Sequence, residues 1–135
     1  MKSSLDHISI NVSNSQKSIP FYRSLFKYLE YDFLKDKKDS LAVRKKGDCD
    51  FWIYPTDSKH IPHGFCVNNT GLGHIAFRVS SKEDVDRFHE EYLKPNNVRV
   101  FNGGPKAFPQ YTPDYYAVFF EDPDRIKLEV NSFKR

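Results

Sequence analysis

No apolar run in this chain approaches the roughly 20 residues a membrane-spanning helix needs, so a helical membrane protein is excluded. The opening residues, Met1-Lys2-Ser3-Ser4-Leu5-Asp6, lack the apolar core of a secretory signal. Cysteine is scarce. Cys49 and Cys66 are the only two, too few for a disulfide framework, and neither stands in the context of a nucleophile. A reduced, cytoplasmic setting is therefore expected. An excess of one charge is missing as well: 21 Lys and Arg stand against 18 Asp and Glu, a net charge of +3. The densest cationic run, Lys35-Asp36-Lys37-Lys38-Asp39, is diluted by acids and reads as a solvated turn. A nucleic-acid binder would show a basic stripe or block, so no nucleic acid and no membrane is expected as a partner.

What the chain does have is rings. Aromatic residues make up 16% of its 135 positions, enough to suggest a ring-rich core or the lining of a cavity. The length suits one domain of ordinary size.

Residues 5 to 12 alternate strictly. Ile8, Ile10 and Val12 share one face, and His7, Ser9 and Asn11 the other, the period-two pattern of a half-buried strand. Asn14 or Ser15 can cap a following helix, whose stripe is Ile19, Tyr22, Leu25, Phe26 and Leu29. Pro20 either loosens its first turn or marks a later start. Three short strands are predicted next, over Tyr31 to Leu34, Leu41 to Arg44 and Asp50 to Tyr54. A long loop rich in Pro, Gly and Asn follows, from Pro55 to Gly73, as a linker or a lid.

The pattern then begins again. His74 to Val79 alternate as the first strand does, and Ser80 and Ser81 precede a helix with the stripe Val85, Phe88, His89, Tyr92 and Leu93. Three more strands are predicted over Val98 to Phe101, Tyr115 to Phe120 and Ile126 to Val130, with a Gly/Pro loop at 103–113 and a tight Asp122-Pro123-Asp124 turn. Strand, helix and three strands thus occur twice, an internal repeat of about half the chain.

Each half opens on an alternating strand carrying a His on the face away from its helix. In the last strand Ile126, Leu128 and Val130 go to the helix side, and Lys127 and Glu129 go opposite. His7, His74 and Glu129 therefore form a candidate metal set. Two imidazoles and one carboxylate suit Fe, Mn, Ni, Co or Zn and leave positions open. The same residues also suit plainer roles, the histidines as hydrogen-bonded half-buried groups and Glu129 as an ion-pair partner. His60 and His63, spaced i, i+3 in the long loop, read as solvated. His89 reads as structural or exposed.

Leu5-Asp-His7-Ile-Ser-Ile-Asn-Val with Ser18-Ile-Pro-Phe21-Tyr22-Arg-Ser-Leu25 resembles the opening of the vicinal oxygen chelate superfamily, which holds glyoxalases, bleomycin-resistance proteins and dioxygenases. Gly73-His74-Ile-Ala-Phe and Phe120-Glu-Asp122-Pro123-Asp124-Arg-Ile-Lys-Leu128-Glu129-Val resemble its second-module strand and its closing turn and strand. The resemblance implies an α+β fold in one domain, 1–135. Two βαβββ modules, about 1–56 and 73–135 and joined by a loop, would curve as a mixed sheet around a central cavity. It implies a divalent metal on His7, His74 and Glu129, a small-molecule substrate, and a homodimer.

The departures are informative. Glyoxalase I enzymes of the family carry a fourth ligand, Glu or Gln, where this chain has Trp52, which cannot bind metal. Asp50, two residues earlier on the same face, would substitute only in a shifted register. The usual Gly after Asp-Pro-Asp is Arg125. The fosfomycin-type potassium loop is not recognisable in Tyr111 to Tyr116, that family's late substrate Arg would fall past residue 135, and Phe119 stands where its Tyr stands. Substrate contacts are expected from Arg78 and Lys127 for charge, Tyr54 and Tyr115 as donors, and Trp52 and Phe119 as stacking surfaces. The expected function is a metalloenzyme, lyase, isomerase or dioxygenase, acting on an oxygen-rich or aromatic molecule. The alternative is a metal-free protein that binds or sequesters an antibiotic.

Overall fold

A computed structural model describes residues 1–134. The chain divides into two compact units, Met1–Gly64 and Phe65–Arg135.

The first unit runs β1 (His7–Val12), α1 (Ser15–Tyr28), β2 (Asp32–Asp36), β3 (Leu41–Arg44) and β4 (Asp50–Pro55), in the sheet order β1-β4-β3-β2. β1 pairs with β4 in parallel, and the other neighbours are antiparallel. The helix begins where an Asn side chain meets its orphan donors: the Asn14 side chain accepts from the Lys17 N–H. Pro20 lies inside α1, on its exposed side, and does not end it. Ile19, Tyr22, Leu25 and Phe26 are buried with Ile10, Val12, Phe51 and Ile53. β2 starts one residue and ends two residues later than predicted, and carries a bulge between Phe33 and Lys35, common on an edge strand. The loop after β4 is not all irregular, since a 3₁₀ turn spans Ser58–His63.

The second unit repeats the plan with β5 (Ile75–Arg78), α2 (Lys82–Phe88), β6 (Lys106–Ala107), β7 (Tyr116–Glu121) and β8 (Lys127–Ser132), in the order β5-β8-β7-β6. Again the first strand pairs in parallel with the last. The Ser81 side chain accepts from the Asp84 N–H at the start of α2. The helix continues as a π-helical turn, His89–Leu93, which keeps His89, Tyr92 and Leu93 inside. His89 is therefore structural, its side chain buried against Gly104.

The strand predicted over Val98 to Phe101 shrinks to a single bridge, Val100 to Phe120. Left-handed residues close it at both ends, Asn97 (φ 52°) and Asn102 (φ 55°), so extended backbone cannot propagate. A two-residue strand, Lys106–Ala107, lies instead inside the predicted Gly/Pro loop. The Asp122-Pro123-Asp124 turn forms as expected: Asp122 Oδ1 accepts from the N–H groups of Asp124 and Ile126. Arg125 fills the Gly position at φ 67°, so the turn does tolerate a side chain in the left-handed region. Two βαβββ units with mixed sheets make this an α+β fold. No helix among the described residues is long and apolar enough to cross a membrane.

Candidate functional site

In the second unit, strand alternation sends Leu128 and Val130 toward α2 and Lys127, Glu129 and Asn131 the other way. Across the parallel pairing Ala76 faces Glu129 and Arg78 faces Asn131. His74, one residue ahead of β5, falls on that same non-helix face. Its Nε2 lies 3.1 Å from Glu129 Oε2. The imidazole is 44% exposed, while the Glu129 side chain is 1% exposed.

A buried carboxylate is costly unless its oxygens are satisfied. Those of Glu129 are. The Tyr115 hydroxyl donates to Oε1 at 2.5 Å, and Asn131 Nδ2 donates to the same oxygen at 3.1 Å. Asn131 Nδ2 also donates to the Tyr115 oxygen at 2.9 Å, closing a triangle. Burial, and then the carboxylate it bonds, push the Tyr115 phenol well above its ordinary ionisation range, so its proton stays in place to be donated. Tyr115, expected as a donor to substrate, thus has its hydroxyl on Glu129. Rings surround the carboxylate. Phe119 stands directly opposite it on β7 and meets the His74 ring edge-on at 6.0 Å, and Phe133 stacks on Tyr115 at 5.0 Å. The two expected cations lie on rings too, Lys127 Nζ 4.3 Å from the Phe119 centroid and the Arg78 guanidinium 3.8 Å from that of Phe133.

In the first unit, His7 opens β1 opposite Asp50 of β4. Its Nδ1 is 2.7 Å from Asp6 Oδ2, which favours the proton on that nitrogen and leaves Nε2 as the free lone pair. Asp50 is not available as a ligand. Arg44 grips it with two contacts of 2.7 Å, and this pairing holds its carboxyl below the usual carboxylate range. Two residues further along the β1–β4 pairing, Ser9 stands opposite Trp52. Trp52 stacks on Tyr54 at 6.0 Å and meets the His7 ring edge-on at 6.5 Å, while Lys35 Nζ sits 5.1 Å from the Tyr54 ring centroid. His60 and His63 sit on the exposed 3₁₀ turn, their rings 5.8 Å apart.

The 3.1 Å between His74 Nε2 and Glu129 Oε2 is a hydrogen-bond or ion-pair distance. Of the three expected ligands, His74 and Glu129 thus lie side by side in the second unit, and His7 belongs to the first. Among the described residues there is no group of three or more His, Cys, Asp or Glu arranged to hold a metal. Asn131 and Phe133 escaped the sequence reading. The signal was there: Asn131 follows Glu129 by two residues on the same strand face, and Phe133 continues that spacing one residue past the strand's end.

Known proteins share this plan. The model of the Glyoxalase/Bleomycin resistance protein/Dioxygenase superfamily matches residues 4–130. Metallothiol transferase FosB of Staphylococcus haemolyticus is 30% identical over 128 residues, covering 95% of this chain and 82% of that protein. The uncharacterized protein YqjT of Bacillus subtilis is also 30% identical over 128 residues, covering 93% of this chain and 96% of its own length. A crystal structure from Bacillus halodurans, provisionally named a glyoxalase, superposes with a TM-score of 0.81 at 29% identity, covering 96% of this chain and 95% of that one. With the family model spanning nearly the whole chain and the repeated βαβββ plan matching, the protein belongs to the glyoxalase/bleomycin resistance protein/dioxygenase superfamily.

Proposed function

We propose that this protein is a divalent-metal-dependent enzyme acting on a small oxygen-rich or aromatic molecule in the cytoplasm. His74 and Glu129 hold the ion, and His7 completes the set from a first unit, of the same chain or of a second copy in a homodimer. The observation that carries the reading is the His74–Glu129 pair: a carboxylate sunk to 1% exposure sets one oxygen 3.1 Å from the nitrogen of a 44% exposed imidazole. The donor types suit Fe, Mn, Ni, Co or Zn.

A divalent ion there supplies Lewis acidity toward a substrate oxygen. The chain's own residues do the rest. Arg78 and Lys127 lie on the strand face that carries Glu129 and supply positive charge to a negatively charged substrate group. Phe119 offers a ring beside His74. Trp52 and Tyr54 give the first unit a stacked pair of rings for a planar substrate. FosB is named for metallothiol transfer, so transfer of a thiol to an electrophilic small molecule is the first reaction to assay. One observation favours a second reading, a metal-free binding protein: the half-buried Trp52–Tyr54 pair suits a bound ring without any ion.

Elemental analysis of untagged, gently purified protein separates the two readings. Near one ion per chain is expected in the wild type, with loss in both His74→Ala and Glu129→Gln while circular dichroism is unchanged. A wild type still empty after incubation with Fe(II), Mn, Ni, Co and Zn would leave the binding reading standing alone.

A further inference from the structure

We propose that Tyr115 and Asn131 are positioning residues that lock one oxygen of Glu129, so that the carboxylate offers only Oε2 on the His74 side. The inference rests on the metal-site reading above and assigns these two residues a part in it.

Register brings them together. On β7 and the residue before it, Tyr115, Ala117 and Phe119 share one face. Ala117 pairs with Asn131, and Phe119 with Glu129. The small Ala117 side chain leaves room for the Tyr115 hydroxyl to reach diagonally past it to Glu129 Oε1, at 2.5 Å. Tyr115 has little freedom to leave. Its ring stacks on Phe133 at 5.0 Å, meets Tyr111 edge-on at 5.3 Å and stands perpendicular to Phe108 at 6.5 Å.

The Asn131 amide shows which contact dominates. Nδ2 points at Glu129 and Tyr115, and Oδ1 is buried with no hydrogen-bond partner among the described residues. Buried acceptors are ordinarily paired. Turning the amide over would free Oδ1 from that burial but would set it against the carboxylate, oxygen to oxygen. The fold keeps the orphan and the clamp. Oε1 then receives two donors while Oε2 receives neither of them, and its neighbour is His74. A carboxylate fixed in this way cannot rock onto both oxygens, which keeps coordination positions open for substrate.

The test titrates Co(II) into the full-length protein, followed by visible absorption, for the wild type, Tyr115→Phe, Asn131→Ser and the control Tyr111→Phe. Tyr115→Phe keeps the ring and removes the donor. Binding is expected to weaken roughly 10- to 100-fold in Tyr115→Phe and in Asn131→Ser. The Co(II) absorption band should also change in intensity as Glu129 becomes free to use both oxygens. Tyr111→Phe should match the wild type in both readouts, because its hydroxyl makes no contact with Glu129. If Tyr115→Phe does not fold, Asn131→Ser carries the same test from the other end of the clamp. Wild-type affinity and an unchanged spectrum in the folded clamp variants would overturn the positioning role and leave the metal site standing. A wild type that takes up no Co(II) would remove the metal-site reading itself, and the clamp's role with it.

Discussion

His74 and Glu129 meet across two parallel strands, nitrogen to oxygen at 3.1 Å, although 54 residues of chain separate them. One is half open to solvent and the other is sunk in rings. A bound cation would tie them together and stabilise the folded state by mass action. At a free ion concentration about 100 times the dissociation constant, the gain is about 2.7 kcal/mol. Thermal unfolding with and without added Mn(II) or Co(II) should therefore show a rise of several degrees in the wild type and almost none in Glu129→Gln. An equal rise in both proteins would mean that the ion binds elsewhere.

The only tryptophan, Trp52, lies 6.5 Å ring to ring from His7. If His7 is the third ligand, an ion that absorbs in the visible range, such as Co(II) or Ni(II), should quench Trp52 emission along a saturable curve. His7→Ala should abolish the saturable part while leaving the emission of the metal-free protein nearly unchanged. Saturable quenching that persists in His7→Ala would take His7 out of the ligand set.

Gly104 is a packing position as well as a turn. Its φ is 128°, and a methyl group added there would come 3.0 Å from His89 Cε1. Both the backbone and the contact resist a side chain, so Gly104→Ala should destabilise by about 2 kcal/mol and lower the melting temperature by several degrees. Gly47 also has a positive φ, 93°, but open space around it. Gly47→Ala should lose only the backbone part, and chemical denaturation of the two variants side by side measures the difference. Equal losses would mean that His89 moves aside at no cost.

Tyr116 gives a pH dependence with a defined sign. Burial, and then its hydrogen bond to Asp86 at 2.8 Å, raise its phenol from 10.0 to about 12. The folded state therefore keeps a proton that the unfolded chain loses first. The associated stability is complete below about pH 10 and is lost as pH rises toward 12, where the folded phenol also ionises. Tyr116→Phe should flatten that alkaline decline in melting temperature, while at neutral pH it loses the hydrogen bond to Asp86, at a cost of about 1 kcal/mol. The same slope in both proteins would assign the decline to other groups. Tyr115 and Tyr31 are raised as well, chiefly by burial, and contribute in the same direction.

Much of this architecture was legible in the chain. Period-two alternation located β1 and β5 and put His7 and His74 away from the helices, because a pleated strand leaves no other choice of face. Asn14 or Ser15, and Ser80 with Ser81, marked the helix starts, and of these Asn14 and Ser81 offer a side-chain oxygen to an orphan N–H. The failures have equally local causes. Val98 to Phe101 has strand-like composition, but left-handed Asn97 and Asn102 close it at either end. The π-helical turn at His89–Leu93 left no mark in the sequence, because its stripe of Val85, Phe88, His89, Tyr92 and Leu93 fits an ordinary helix equally well.

The sequence by itself determined that each half opens on a strand followed by a helix, and the face on which each candidate ligand lies. These follow from residue type and from periods of 2.0 and 3.6, which need no knowledge of distant neighbours. Only the tertiary structure decided that Asp50 is bound by Arg44, that Tyr115 spends its hydroxyl on Glu129, and that His74 stands 3.1 Å from the oxygen left over. The physical reason is strand register. It joins residues far apart along the chain, and a hydrogen bond or a coordination site exists only where that joining brings two atoms within about 3 Å.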